Sequence, residues 1–206
     1  MSSDHISKSF TKLIRAAKTT LSPRSSGILS GRAISEAIND GSIIIDPYDM
    51  KHLNPASYDL TLGDEVKIYD VNSLDNCTLD SKRANPTKEF KIPPEGIRLL
   101  PGTGYLMHTR ERVGTTKFVP IIDGKSSIGR LFVFCHVTAG FGDPGFFGQY
   151  TLEVLTVHSV ILYAGMRICQ IRFQSIAGEV ELYNGHYQNS TAHGAVPSHA
   201  YEQFEE

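Results

Sequence analysis

The chain has 206 residues, 40% of them hydrophobic, and a formal net charge of −2. That length and apolar content suit one domain around one sizeable core better than two. No stretch approaches the roughly 20 consecutive apolar residues of a membrane span, the charge gives no reason to expect a nucleic-acid partner, and three unpatterned cysteines suit a reducing compartment, which points to the cytoplasm.

Residues 1–26 differ in kind from the rest. They hold Lys8, Lys12, Arg15, Lys18 and Arg24 against Asp4 alone, so this extension carries +4 and the remainder −6. Ile6, Phe10, Leu13, Ile14, Ala17 and Leu21 fall on one helical face. A basic, amphipathic, acid-poor segment reads as a flexible or docking extension, or as an organellar transit peptide, which would change the location. Residues 23–27 follow as a linker into the domain, which spans 27–182, and 183–206 form a tail.

The body holds 18 glycines, 10 prolines and many short β-branched or aromatic runs, so it reads as mostly β. A single short helix is predicted over Ser30 to Asp40, capped by Ser30 and ended by Gly41. Strands are predicted at Ser42 to Ile45, Val66 to Tyr69, Gly104 to His108, Leu131 to Cys135, Gln149 to Leu155 and Ile168 to Phe173. Asn72 to Pro94, polar and irregular, is predicted as a long surface loop.

Three stretches carry candidate chemistry. After Gly124, the backbone N–H groups, the hydroxyls of Ser126 and Ser127 and the ammonium of Lys125 can converge on phosphate oxygens, with Arg130 as a rigid fork beyond them. G-K-S-S alone reads more readily as a hairpin turn with a solvated lysine, because the full G-x-x-x-x-G-K-[ST] loop is absent. Asp143-Pro144-Gly145 is turn chemistry. His136, between Cys135 and Val137, reads as a core or interface histidine. Glu153 interrupts the apolar run Thr151 to Leu155. Facing the core, it would need a partner such as Arg130 and would be a poised acid or base. Strict alternation instead turns Glu153 outward and leaves Leu152 and Val154 to the core.

The order of these pieces resembles the deoxycytidine triphosphate deaminases of the dUTPase-like superfamily. The anchors are Ile28-Leu29-Ser30 with Arg32, the run Asn54 to Gly63, the central run Lys125 to Glu153, and Gly165 to Ile171; together they span about Ile28 to Tyr201. The resemblance implies a dUTPase-like distorted jelly-roll or β-barrel with few short helices, assembled as a homotrimer with its sites at subunit interfaces. It implies hydrolytic deamination of dCTP, with Glu153 as general acid and base, Ser126 and the Ala139 carbonyl holding the nucleophilic water, and Arg130 orienting Glu153. Lys125, Ser126 and Ser127 then meet the phosphates, Asp143 the deoxyribose hydroxyl, and Thr151, Leu152 and Glu153 the sugar and base, with Ile128, Gly129, Arg130 and His186 as further nucleotide-binding positions. Gln170 and Tyr183 match further nucleotide-binding positions. Mg²⁺ is expected on the phosphates, with no metal held by protein ligands. The H-x-E and C-x-x-C signatures of zinc deaminases are absent, so no zinc is expected in the reaction.

Two departures from the family's pattern bear on the product. In the tail, His186 stands where the family has a lysine and Ser190 where it has a glutamine, which removes a fixed charge near the phosphates. After Ala139, Gly140-Phe141 resembles the bifunctional members that release dUMP and pyrophosphate, whereas deamination-only members commonly carry His-Arg there. A dUTP diphosphatase, a non-catalytic nucleotide-binding regulator and a structural β-sandwich are the alternatives.

Overall fold

In the computed structural model, which describes residues 27–135, 138–188 and 193–205, Ser30 opens the first helix as the sequence predicts. Its hydroxyl accepts from Ala33 N at 3.3 Å and helix α1 runs Gly31–Asn39, burying Ile34 and Ala37. The amphipathic reading of residues 1–26 falls outside the described residues, as do His136 and Ser190. Among the described residues no helix is long and apolar enough to cross a membrane.

Eleven strands follow: β1 (Ile43–Asp46), β2 (Tyr58–Thr61), β3 (Glu65–Tyr69), β4 (Thr87–Lys91), β5 (Ile97–Leu99), β6 (Tyr105–Thr115), β7 (Phe118–Gly124), β8 (Val133–Cys135), β9 (Phe147–Thr156), β10 (Val160–Leu162) and β11 (Arg167–Ser175). A one-turn helix, α2 (Ser126–Gly129), lies between β7 and β8. A six-stranded sheet has the order β4-β3-β6-β9-β8 with β1 also paired to β6, a three-stranded sheet has the order β2-β11-β7, and β10 pairs with β5. All named pairings are antiparallel.

The core takes its side chains from both larger sheets. Met107, Leu152 and Val154 from one, and Leu60, Ile171 and Phe173 from the other, are all fully buried. Each such side chain stabilises the fold by about 1.5–3 kcal/mol relative to exposure.

The six predicted strands all occur, mostly longer than the apolar runs suggest. The loop predicted over residues 72–94 needs correction, because β4 lies inside it and pairs with β3 from Glu65↔Lys91 to Tyr69↔Thr87. Its sequence, Thr-Lys-Glu-Phe-Lys, is that of a charged edge strand, which hides the apolar signal while discouraging further pairing. Pro120 conceals β7 in the same way, and proline is tolerated there because β7 is the edge of its sheet. In the pairing of β6 with β9, the stretch from His108 to Arg112 faces only Thr151 to Gln149. This bulge turns Thr109 and Glu111 into the protein, where Thr109 Oγ1 accepts from Tyr150 N at 2.9 Å and Glu111 accepts from Thr61 N and Oγ1 at 2.9 and 2.6 Å.

Candidate active site

Strand β9 sorts its residues as strict alternation requires. Leu152 and Val154 are fully buried in the core, and Thr151 and Glu153 point to the other face of the sheet. That face is not open water. Glu153 is part-buried, its Oε2 is shielded from solvent, and it lines a pocket of about 550 Å³.

The pocket brings together five of the residues singled out in the sequence: Ala139, Asp143, Thr151, Glu153 and Tyr183. Its walls include the rings of Phe141, Phe146 and Tyr150, with Phe146 edge-on to both Tyr150 and Tyr183 at 5.1 and 6.4 Å. Burial, together with the Asp143 charge, pushes the Tyr150 phenol well above its usual range, so it stays a neutral hydroxyl at any working pH. A carboxylate and a second acid among aromatic walls make a cavity that can sandwich a planar heterocycle and move protons at its edge.

Backbone bonds hold the wall containing Ala139 against β7: Ile122 N donates to Gly140 O at 2.7 Å and Gly142 N to Pro120 O at 2.8 Å. The Asp143-Pro144-Gly145 turn is both structural and part of the site. Gly145 has φ +99°, and a Cβ there would lie 2.9 Å from Tyr183 N, so glycine is needed for the tail to dock. Tyr183 N donates to Pro144 O at 2.7 Å and Gln188 Nε2 to Gly145 O at 2.8 Å.

The tail then crosses the sheet beside the pocket. Gly194 N donates to Gln149 Oε1, Lys67 Nζ to Ala195 O and Val196 N to Thr151 Oγ1, each at 2.9 Å, and residues 196–198 form part of the pocket wall. Thr151 therefore gives one acceptor lone pair of its hydroxyl to the tail and keeps the other lone pair and its proton for a ligand. His186 lies outside this pocket and pairs with Glu202.

A second group assembles elsewhere on the chain. Lys125 is not a solvated turn lysine: its Nζ lies 2.7 Å from Oδ2 of Asp59, whose side chain is 1% exposed. Asp59 also accepts from Asn54 Nδ2 at 2.8 Å and pairs with Arg167 Nη1 at 3.4 Å. Gln170 is fixed between Ser57 Oγ (2.9 Å) and Gly124 O (3.1 Å). One buried carboxylate thus holds two cations beside α2, whose Ser126, Ser127 and Gly129 are exposed together with Arg130. No atom lies within 4 Å of a Cβ placed on Gly124 or Gly129, so the backbone there faces open space. This surface can accept an anion through cations, hydroxyls and backbone. Ile128 and Leu152 have buried side chains and offer a ligand only their backbone.

Within one chain, then, Glu153 and its pocket form one group and Lys125, Ser126, Ser127, Arg130 and Gln170 another. Sequence reasoning missed Asp59, Asn54, Ser57 and Arg167 as the frame of the second. The available signal was the one that singled out Glu153, a carboxylate inside an apolar strand, here between Tyr58 and Leu60.

The model of the dCTP deaminase-like family matches residues 28–176, from the entry to α1 to just past β11. The chain belongs to that family. A relative from Clostridium beijerinckii, called "dCTP deaminase, dUMP-forming", is 48% identical over 179 residues, covering 86% of this chain and 99% of its own. Relatives with the same description from Cytophaga hutchinsonii and Leptospira biflexa are 45% and 44% identical. Among solved structures, the 2'-deoxycytidine 5'-triphosphate deaminase from Agrobacterium tumefaciens superposes with a TM-score of 0.58 at 22% identity, covering 74% of this chain and 49% of that one. At that identity the superposition establishes the family's fold alone. The residues of both groups other than Tyr183 fall within the matched range, while the tail from Tyr183 onward lies beyond it.

Proposed function

We propose that this chain hydrolyses dCTP to dUMP, ammonia and pyrophosphate, at a site completed between copies of the chain in a homotrimer. The observation that carries the reading is Glu153 in an aromatic-walled pocket that also contains Ala139 and Asp143. Water attacks C4 of the cytosine as Glu153 takes its proton; the proton passes to the ring nitrogen, and a further transfer lets the amine leave as ammonia. Ser126 and the Ala139 carbonyl position the water and Arg130 orients the carboxylate, as the resemblance implies. A second water then attacks the α-phosphorus and pyrophosphate departs, which requires the triphosphate to be held in line. The cations beside α2 suit that task, and Mg²⁺ travels on the phosphates as a charge neutraliser.

Assembly is supported by the separation of the two groups and by the surface next to the second. Leu131, Phe132 and Phe134 are about half exposed, and Leu155, the cross-strand partner of Phe134, is 42% exposed. A cluster of this kind on the edge strand β8 suits burial by another copy. A neighbouring copy would then bring Ser126 and Arg130 to the Glu153 pocket. The dUMP reading rests on the relatives' descriptions and on Gly140-Phe141, which puts no cationic side chain beside Ala139.

The test is incubation with dCTP, dCMP and dUTP separately, with products resolved by chromatography. The expected result is equal amounts of dUMP, pyrophosphate and ammonia from dCTP, with little free dUTP. Quantitative accumulation of dUTP that the enzyme then leaves untouched would overturn the second step and leave the first standing.

A further inference from the structure

On the far side of β9 from the core, a second cavity of about 400 Å³ is lined by Asp64, His108 and His193, with Arg110, Gln149 and Gly165 around them. It shares only Gln149 with the Glu153 pocket. His108 is fully buried, and its Nδ1 lies 3.0 Å from Thr109 O. A carbonyl only accepts, so Nδ1 carries the proton and Nε2 of the neutral ring presents a lone pair. That Nε2 is buried without a hydrogen-bond partner and lies 3.9 Å from Asp64 Oδ1, too far for a hydrogen bond. A buried acceptor left without a donor is costly unless something else occupies its lone pair.

Two further ligand atoms converge on the same point. His193 Nε2 lies 3.4 Å from Asp64 Oδ1, and the three ligand atoms are all within 4.8 Å of one another. Ligands at about 2.0–2.1 Å from a tetrahedral ion are about 3.4 Å apart, so a small side-chain adjustment closes the set. The supporting shell is present as well. Lys91 Nζ holds the other Asp64 oxygen at 3.3 Å, Thr109 fixes the His108 ring, and Gly63 lies flat against that ring, where a Cβ would overlap it.

We propose that Asp64, His108 and His193 form a site for a divalent transition-metal ion of the zinc class, and that the ion clips the tail to the sheet. Two imidazoles and one carboxylate select zinc or cobalt over magnesium, which prefers an all-oxygen shell. His193 immediately precedes the bonds of Gly194, Ala195 and Val196 to Gln149, Lys67 and Thr151, and residues 196–198 wall the nucleotide pocket. Fixing His193 thus fixes the segment that closes that pocket. The ion takes no part in deamination, so the zinc-free chemistry of Glu153 is unaffected.

The test uses the full chain, stripped with chelator, dialysed and titrated without nucleotide. Zinc should bind once per chain by calorimetry, cobalt should give the visible absorption of a four- or five-coordinate ion, and zinc should slow proteolysis of the tail at least about tenfold. His193→Asn, on the surface and safe for folding, and Asp64→Asn should each weaken zinc binding by about 10–100-fold, while His158→Asn, on the β9–β10 turn, keeps it. Absence of saturable binding, equal affinity in His193→Asn, or loss in His158→Asn would overturn the site. Stoichiometric binding with unchanged tail proteolysis would overturn the clip.

Discussion

Glu153 and Asp59 are both carboxylates interrupting an apolar strand, and their surroundings give them opposite uses. Asp59 is saturated by Lys125, Arg167 and Asn54, so it is a fixed anion that positions cations. Replacing it with Asn leaves two cations without their counter-charge, and Asp59→Asn is expected to lower stability by about 2 kcal/mol or more, read as a shift of the urea midpoint. Glu153 faces a pocket where a ligand can sit. Glu153→Gln preserves shape and one accepting oxygen but removes the base, so turnover of dCTP should fall at least about a hundredfold while nucleotide binding persists. Near-normal turnover by this variant would exclude Glu153 as the proton shuttle. The cysteines give a separate check at the same scale. Burial pushes the Cys135 thiol up to about 12 and raises that of Cys169 well above its usual range, whereas Cys77 is exposed. A buried thiol stays protonated through pH 9, so a thiol reagent should modify one cysteine per chain in the native protein and three after denaturation.

Among the elements, β9 was legible in the sequence through its apolar run, although the sequence left open which face its single acid takes. Helix α1 was equally legible through its Ser30 cap. β4 was hidden because an edge strand carries charge where a central strand carries valine or isoleucine, and β7 because Pro120 breaks the pattern at an edge that tolerates it. The two cationic partners of Asp59 lie 66 and 108 residues away, a juxtaposition set by pairing of β2, β7 and β11 rather than by any local motif. The same holds for His108 and His193, which no short spacing connects. The tail lies against the Glu153 pocket. Its backbone bonds to Pro144, Gln149 and Thr151 do the docking, while His186 is engaged by Glu202. Truncation after Gly178 removes these contacts but leaves both sheets intact. It should abolish turnover with a cooperative unfolding transition retained, because a covering segment contributes more to the site than to the core. Full activity in the truncated chain would show that the tail does not close the pocket.

For the whole molecule, the decisive feature is that the two groups of candidate site residues lie in separate places on one chain. Arg130 and Ser126 are exposed beside an apolar edge, and Glu153 lies in a pocket they do not line. If neighbouring copies join these halves, two inactive variants must complement each other. Arg130→Ala disables one half and Glu153→Gln the other, so each homo-oligomer should be nearly inactive. When the two are co-expressed in equal amounts, each site draws one half from either variant at random, and about a quarter of the sites receive both intact halves in a closed cyclic assembly. The co-expressed population, purified as a whole, should therefore recover about a quarter of the normal turnover per chain, a level that neither variant reaches alone. Recovery should vanish when Phe134 and Leu155 are also changed to aspartate in both variants, since charges in a buried apolar contact oppose assembly. Mixed oligomers that stay at the background of the single variants would place the whole site within one chain.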